Sequence, residues 1–166
     1  VNLEELLEHI QRSGLAAAVR GDSGLGWLFP EIETAHVLAL ALVFGSIFMV
    51  DLRLLGVTSR DSPVSRLSAE CLPYTWIAFM CAVISGSLLF ASRAHTYFYN
   101  LQFQLKFVCM ALAGLNMAVF HCGAYRHVLE WDTRLPPPLA ARLAGVLSIA
   151  LWTAVIFFGR WIGFKT

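Results

Sequence analysis

Charge is what this sequence has least of. Only 14% of its 166 residues are Asp, Glu, Lys or Arg, where an ordinary soluble domain carries about 25%. A water-soluble chain of this length needs far more polar surface to cover its small core. Positive excess is missing too: the formal net charge is +1, which excludes the concentrated basic footprint of a nucleic-acid binder. Paired cysteines are absent. Cys71, Cys81, Cys109 and Cys122 form no CxxC spacing, so neither a zinc knuckle nor a thioredoxin-like site is indicated, and the four thiols read as small hydrophobes. The sequence also lacks a glycine-rich phosphate loop, an HExxH metal motif and a nucleophile elbow. Ser85, Gly86 and Ser87 sit within an apolar run and read as packing residues.

What is abundant is apolar length, at 58% hydrophobic residues. A membrane-spanning helix needs roughly 20 mainly apolar residues at about 1.5 Å rise each. Four stretches qualify: Ile32 to Val50, Leu72 to Ala91, Leu101 to Cys122, and Leu139 to Phe158. The last follows Pro136, Pro137 and Pro138, a natural break before a helix. The runs lack the alternation of a membrane β-barrel, and open strands leave backbone groups unpaired in lipid. The expected fold is therefore all-α, a membrane-embedded up-down-up-down bundle of four helices over residues 31–166.

Residues 1–20 differ. Leu3, Leu6, Leu7 and Ile10 recur at helical spacing while Glu4, Glu5, Glu8 and Gln11 face elsewhere, the pattern of an amphipathic helix on a membrane surface or against the bundle. Acidic residues stand where a secretory signal would be basic. Gly21 and Gly24 then break the pattern.

Alternating spans put both termini and the Ser92–Asn100 connection on one face, side A, and the other two connections on side B. Arg53, Arg60, Arg66, Arg126, Arg134 and Arg142 favour side B as cytoplasmic. Arg12, Arg20, Arg93, Lys106, Arg160 and Lys165 balance them, so loop charge tips the orientation only slightly toward side B inside. Trp27, Trp76, Trp131, Trp152 and Trp161 fit interfacial belts. Small residues such as Ala39, Gly45, Ser46, Ser85, Gly86, Ala113 and Gly114 permit close helix approach.

The chemistry rests on histidines, since an ionisable side chain within a span is a functional candidate by default. His36 lies about one turn inside side A of the first span and His95 just after the second span on the same side. Two neutral imidazoles at matched depth could take both axial positions of a haem iron, which suits electron transfer. Leu40, Val43 and Ile47 would supply an apolar wall; equally, the stripe packs the bundle and His36 bonds a neighbour. On side B, His121 has Met110, Gly114 and Met117 along its face, with His127 six residues on. A second haem there would lack an evident opposite ligand from the early helices. One or two b-type haems are thus expected, with His36, His95 and His121 as metal ligands and His127 as a further candidate.

Asn116 could bridge helices or bind a propionate or quinone oxygen, and Lys106 could snorkel to side A or balance a headgroup or propionate. Asp51 either joins an ion-pair network with Arg53, Arg126, Glu130 and Asp132 or moves protons to a bound quinone.

At ETAHVLALALVFGSIFMVDLRLLG, residues 33–56, and GLNMAVFH, residues 114–121, the chain resembles an uncharacterised family of small bacterial four-helix membrane proteins. Its overall plan also resembles the four-helix b-type cytochromes. That resemblance implies histidines near helix ends holding haem b, electron exchange with quinols or a redox protein, and a multi-pass place in the bacterial inner membrane. The incomplete side-B ligand set departs from the di-haem arrangement. The leading expectation is a haem b protein passing electrons between quinol and a redox partner, as a subunit of a membrane oxidoreductase. Two others stand beside it: a structural or assembly subunit of a membrane complex, homo-oligomeric or mixed, and a small-solute or ion transporter using His36, Asn116 and Asp51.

Overall fold

The computed structural model describes residues 2–22, 24–58, 62–132 and 136–164. Of the loop cations weighed above, Arg60, Arg134 and Lys165 lie outside the described residues. The described chain is helical, in the order α1 (Leu3–Gln11), α2 (Gly14–Arg20), α3 (Leu28–Leu54), α4 (Val64–Ser92), α5 (Ala94–Phe98), α6 (Leu101–Cys122), a 3-10 turn (Ala124–His127), α7 (Val128–Trp131) and α8 (Leu139–Ile162). Helices α3, α4, α6 and α8 are each long and apolar enough to cross a membrane.

Their surfaces are inverted relative to a soluble bundle. Leu38, Leu42, Ile77, Leu115, Val119 and Leu143 stand exposed, while the buried positions are mostly small: Ala39, Ala78, Ala82, Ala113 and Ala141, with Val43 and Val155. Small residues let helix backbones approach where lipid removes the hydrophobic drive for helix association. The molecule has the build of a multi-spanning membrane protein.

Packing runs along three seams. Helix α3 packs on α4 and on α8, and α8 packs on α6; α4 and α6 form no comparable seam among the described residues and touch where the Phe90 and Phe103 rings stack at 5.4 Å. The α3–α4 seam is antiparallel, tied by His36 to Ser85 at 3.0 Å and by Ser46 to Thr75 at 2.7 Å. The α6–α8 seam is antiparallel as well, with Asn116 Nδ2 donating to the Ala144 carbonyl at 3.0 Å. At the α3–α8 seam Gly145 is required for contact. A Cβ there would meet the Asp51 carbonyl at 3.3 Å and Leu54 Cβ at 3.4 Å.

Two arginines fasten the ends. Arg53 is 3% exposed. Its Nε donates to the Ser62 carbonyl at 2.8 Å and its Nη2 to the Asp132 carbonyl at 2.9 Å, joining the connections that follow α3 and α7. Asp132 in turn accepts from the Ser65 backbone N–H at 3.1 Å and from the Ser65 hydroxyl. It thereby satisfies the first turn of α4, where the helix dipole favours an anion. Leu54, Val64, Phe120, Val128, Trp131 and Ala141 form the apolar cluster beneath this clasp. At the opposite end Arg20 donates to the Gln11 carbonyl at 2.7 Å and the Ser92 carbonyl at 2.8 Å, and pairs with Asp22 at 2.8 Å. A cation on the last carbonyls of α4 complements the negative end of its dipole.

Three boundaries differ from expectation. The amphipathic stretch 1–20 is two helices, because Ser13 accepts from Ala16 N and starts α2 afresh. Helix α3 begins at Leu28, ahead of Pro30, which costs nothing in a first turn whose N–H groups have no intrahelical partner. Helix α4 begins at Val64 and runs through Pro73, because Asp132 caps a polar first turn that hydropathy alone does not mark.

Candidate functional site

Polar side chains enter the bundle at two places. The first lies near the Arg20 end. The His36 Nδ1 faces the Ser85 Oγ at 3.0 Å, and that hydroxyl has its own hydrogen placed toward the Cys81 carbonyl at 2.7 Å. A hydroxyl has one hydrogen to give, so Nδ1–H is the donor and a neutral His36 keeps its lone pair on Nε2. The ring lies directly on α4: a Cβ at Gly86 would come within 2.9 Å of His36 Cε1. Lys106 reaches in from α6 over Gly159, whose added Cβ would meet the lysine Cδ at 3.7 Å. It is close enough to act electrostatically on His36.

The second place is a cavity of about 230 Å3 toward the Arg53 end, between α3, α4, α6 and α8. Its walls are chiefly apolar, with Val43, Ile47, Phe79, Phe120, Trp76 and Trp152 among them. Met110, Gly114, Met117 and His121 line it together from α6, the face that helical spacing assigned to them.

Asp51 is the unusual member. It lines this cavity, is 5% exposed, and its Oδ2 has no hydrogen-bond partner. The Ser148 hydroxyl lies beside the carboxyl. A buried charge without a partner costs several kcal/mol in general, yet a guanidinium stands two residues along the same helix. Positions i and i+2 do not share a helix face, and Arg53 is committed to the Ser62 and Asp132 carbonyls. The expected Asp51–Arg53 pairing is therefore replaced by an arginine clasp and a carboxylate left for something else.

Several of the cavity's other polar groups have hydrogens already committed, while Ser68 and the indole N–H groups of Trp76 and Trp152 also belong to its lining. The Nδ1 of His121 lies 2.9 Å from the Met117 carbonyl; a carbonyl only accepts, so Nδ1 carries the proton and Nε2 of the neutral ring is an acceptor. Asn116 donates through Nδ2 to Ala144. Ser46 and Thr75 bond each other and also reach the carbonyls of Val43 and Cys71 at 3.0 and 2.9 Å. The lining thus combines an acceptor without a partner, the Oδ2 of Asp51, with residues that carry donors, Ser68, Trp76, Asn116 and Trp152.

The remaining candidates are dispersed. His95 is exposed on α5, its backbone N–H donating to Gln11 Oε1 at 3.1 Å and its ring 5.1 Å from that of Tyr99. No contact joins His36 and His95 among the described residues: His36 meets Ser85, and His95 meets Gln11 and Tyr99. Neither lines the cavity. His127 is exposed and pairs with Glu130 at 3.1 Å. Among the described residues no group of three or more His, Cys, Asp or Glu could hold a metal ion.

Spacing alone did not single out Ser148 or Trp152 for the site. Trp76 and Trp152 read as interfacial residues, but α4 starts eight positions earlier than hydropathy suggested and carries Trp76 to mid-helix.

Compared with known proteins, residues 20–165 match the model of a family of unknown function, DUF6644. No curated protein and no solved structure matches the chain.

Proposed function

Because the chain belongs to this family of unknown function over nearly its whole length, which lends it no activity, we propose from the site itself that it is a membrane electron-transfer component binding the head of a quinol between α4 and α6. The observation that carries the reading is the cavity with Asp51 in its wall, one carboxyl oxygen of which, Oδ2, has no hydrogen-bond partner. Its volume of about 230 Å3 falls below the roughly 300–1,000 Å3 of sites that enclose a whole drug-sized ligand. A small ring fits with its tail outside. The α4–α6 side, where the helices meet at the stacked rings of Phe90 and Phe103 and form no continuous seam, gives such a tail a way into lipid.

In this reading the four long helices cross the bacterial inner membrane in alternate directions. Helices α1 and α2 lie along its surface, with Leu3, Leu6 and Leu15 exposed toward it. Electrons leave the quinol for a redox protein partner. Titrating the protein in lipid nanodiscs with a decyl-tailed benzoquinone should quench Trp76 and Trp152 fluorescence saturably. Trp76→Phe combined with Trp152→Phe should abolish the saturable part. Quenching that rises linearly with quinone, alike in both proteins, would remove the proposal.

A second reading, haem b within the chain, is favoured by one specific observation. A histidine that ligates a metal through one nitrogen is generally held by a hydrogen bond at the other, and Ser85 holds Nδ1 of His36 in that way. Lys106 nearby would suit a propionate. His95 has its own neighbours in Gln11 and Tyr99 and makes no contact with His36, so in this reading His36 is the ligand to test first. Oxidised and reduced absorption spectra of protein expressed with ample haem test it: a Soret band lost in His36→Ala supports haem at His36, and no band in the wild type removes it.

A further inference from the structure

Resting on the reading of the cavity as a quinone-class site, we infer that Trp76, Gly114 and Met117 frame a doorway through which its occupant comes from the bilayer. The occupant is a quinone or quinol that carries a chain, and the start of that chain stays in the doorway. The inference comes from where the cavity wall is exposed. Of the described residues that line it, three are exposed: Trp76 at 51%, Met117 at 41%, and Gly114. Trp76 belongs to α4 and the other two to α6. Every lining residue of α3 and α8 is buried or half-buried. The wall is open on one flank, the one where α4 and α6 form no continuous seam.

The ends of the cavity offer a chain no comparable route. Toward the Arg53 end, Leu54 and Phe120 of the wall belong to the buried apolar cluster beneath the arginine clasp. Toward the Arg20 end, α3 closes on α4 at buried Ala39, Ala78 and Ala82, and the His36 ring lies against Gly86. Within the doorway, Gly114 differs from the glycines that serve helix contact. A Cβ at Gly86 or Gly145 would press on the neighbouring helix, but one at Gly114 would meet nothing within 4 Å. Beside that gap Met117 supplies an unbranched, adaptable side chain and Trp76 a broad apolar face, both suited to a hydrocarbon chain. The doorway takes both redox forms alike, since it grips the chain and not the oxygens of the ring.

The test measures binding to the full chain in lipid nanodiscs by calorimetry, with affinities referred to ligand concentration within the lipid. Two ligands are compared, a decyl-tailed benzoquinone and the same ring with a methyl group in place of the chain. Wild type should bind both saturably. Gly114→Leu fills the gap and replaces a glycine within a helix, which favours helix formation. It should weaken the decyl-tailed ligand at least about tenfold, the scale of forcing extra carbons into an occupied contact. The methyl-bearing ring should change by less than about threefold. Gly45→Leu is the matched control: its Cβ also meets nothing within 4 Å, and Gly45 does not line the cavity, so it should alter neither affinity. Met117→Phe, one helical turn from Gly114, should reproduce the selective loss and decides the matter if Gly114→Leu does not fold. Should the ring alone bind too weakly to measure, the contrast between Gly114→Leu and Gly45→Leu on the tailed ligand decides. Equal weakening of both ligands would make Gly114 part of the wall around the ring, and no weakening of either would put the entrance elsewhere. Each of those results overturns the inference while the quinone-class site stands. Failure of the wild type to bind either ligand overturns the two together.

Discussion

His36 and Asp51 share one helix, fifteen positions apart and thus roughly 22 Å along the axis, and the fold treats them oppositely. At His36 the interior is closed. The ring is held by Ser85, laid on Gly86 and approached by Lys106, with no room left for a methyl group on the facing helix. At Asp51 the interior is open, and the carboxyl is denied the one cation within easy reach. The two ends show that polarity within a membrane bundle serves distinct purposes. A satisfied imidazole ties a seam, whereas a carboxyl with one oxygen left without a partner lines a cavity.

Substitutions can break or sharpen that contrast. The largest effect is expected at Arg53. Arg53→Ala removes two charge-assisted hydrogen bonds from a buried clasp, at about 1.5–3 kcal/mol each. Thermal unfolding in detergent should fall by about 10 °C, and an unchanged midpoint would show that the clasp holds nothing. Next comes Gly86→Ala, which must displace the His36 ring or part the α3–α4 seam, costing about 1–3 kcal/mol. Combining it with His36→Ala should recover much of that loss in a double-mutant cycle; strict additivity would mean the ring is not the obstacle. Asp51→Asn should go the other way, raising stability by about 1 kcal/mol, since it removes a buried acid that has no cation paired with it. A drop in its melting temperature would mean that the carboxylate is paired after all. Smallest is Gly159→Ala, whose Cβ would only touch the Lys106 stem at 3.7 Å; its midpoint should stay within about 0.5 kcal/mol of wild type.

Much of the architecture was legible in the residues, because length and apolarity dictate helices in lipid. The expected start of the third span at Leu101 and of the fourth at Leu139 coincide with α6 and α8. The second did not, since the group that caps α4 is Asp132, 67 positions from Ser65, and periodicity sees no such distant partner. The grouping of His121 with Met110, Gly114 and Met117 was readable from helical spacing. Pairing His36 with His95 used topology alone, which matches helix ends but does not see that His36 turns to Ser85 while His95 sits on α5 beside Gln11 and Tyr99. For Asp51, proximity in sequence to Arg53 suggested an ion pair, and only the position of the Ser62 and Asp132 carbonyls reveals why the arginine turns away.

The sparse contact between α4 and α6 has a consequence for any measurement at the cavity. A guest arriving through that flank travels in two dimensions, so its mole fraction among the lipids, and not its molarity in the buffer, sets occupancy. Doubling the amount of bilayer at constant protein and constant guest should halve apparent saturation far below capacity, a dilution that a water-facing pocket would not feel in the same proportion.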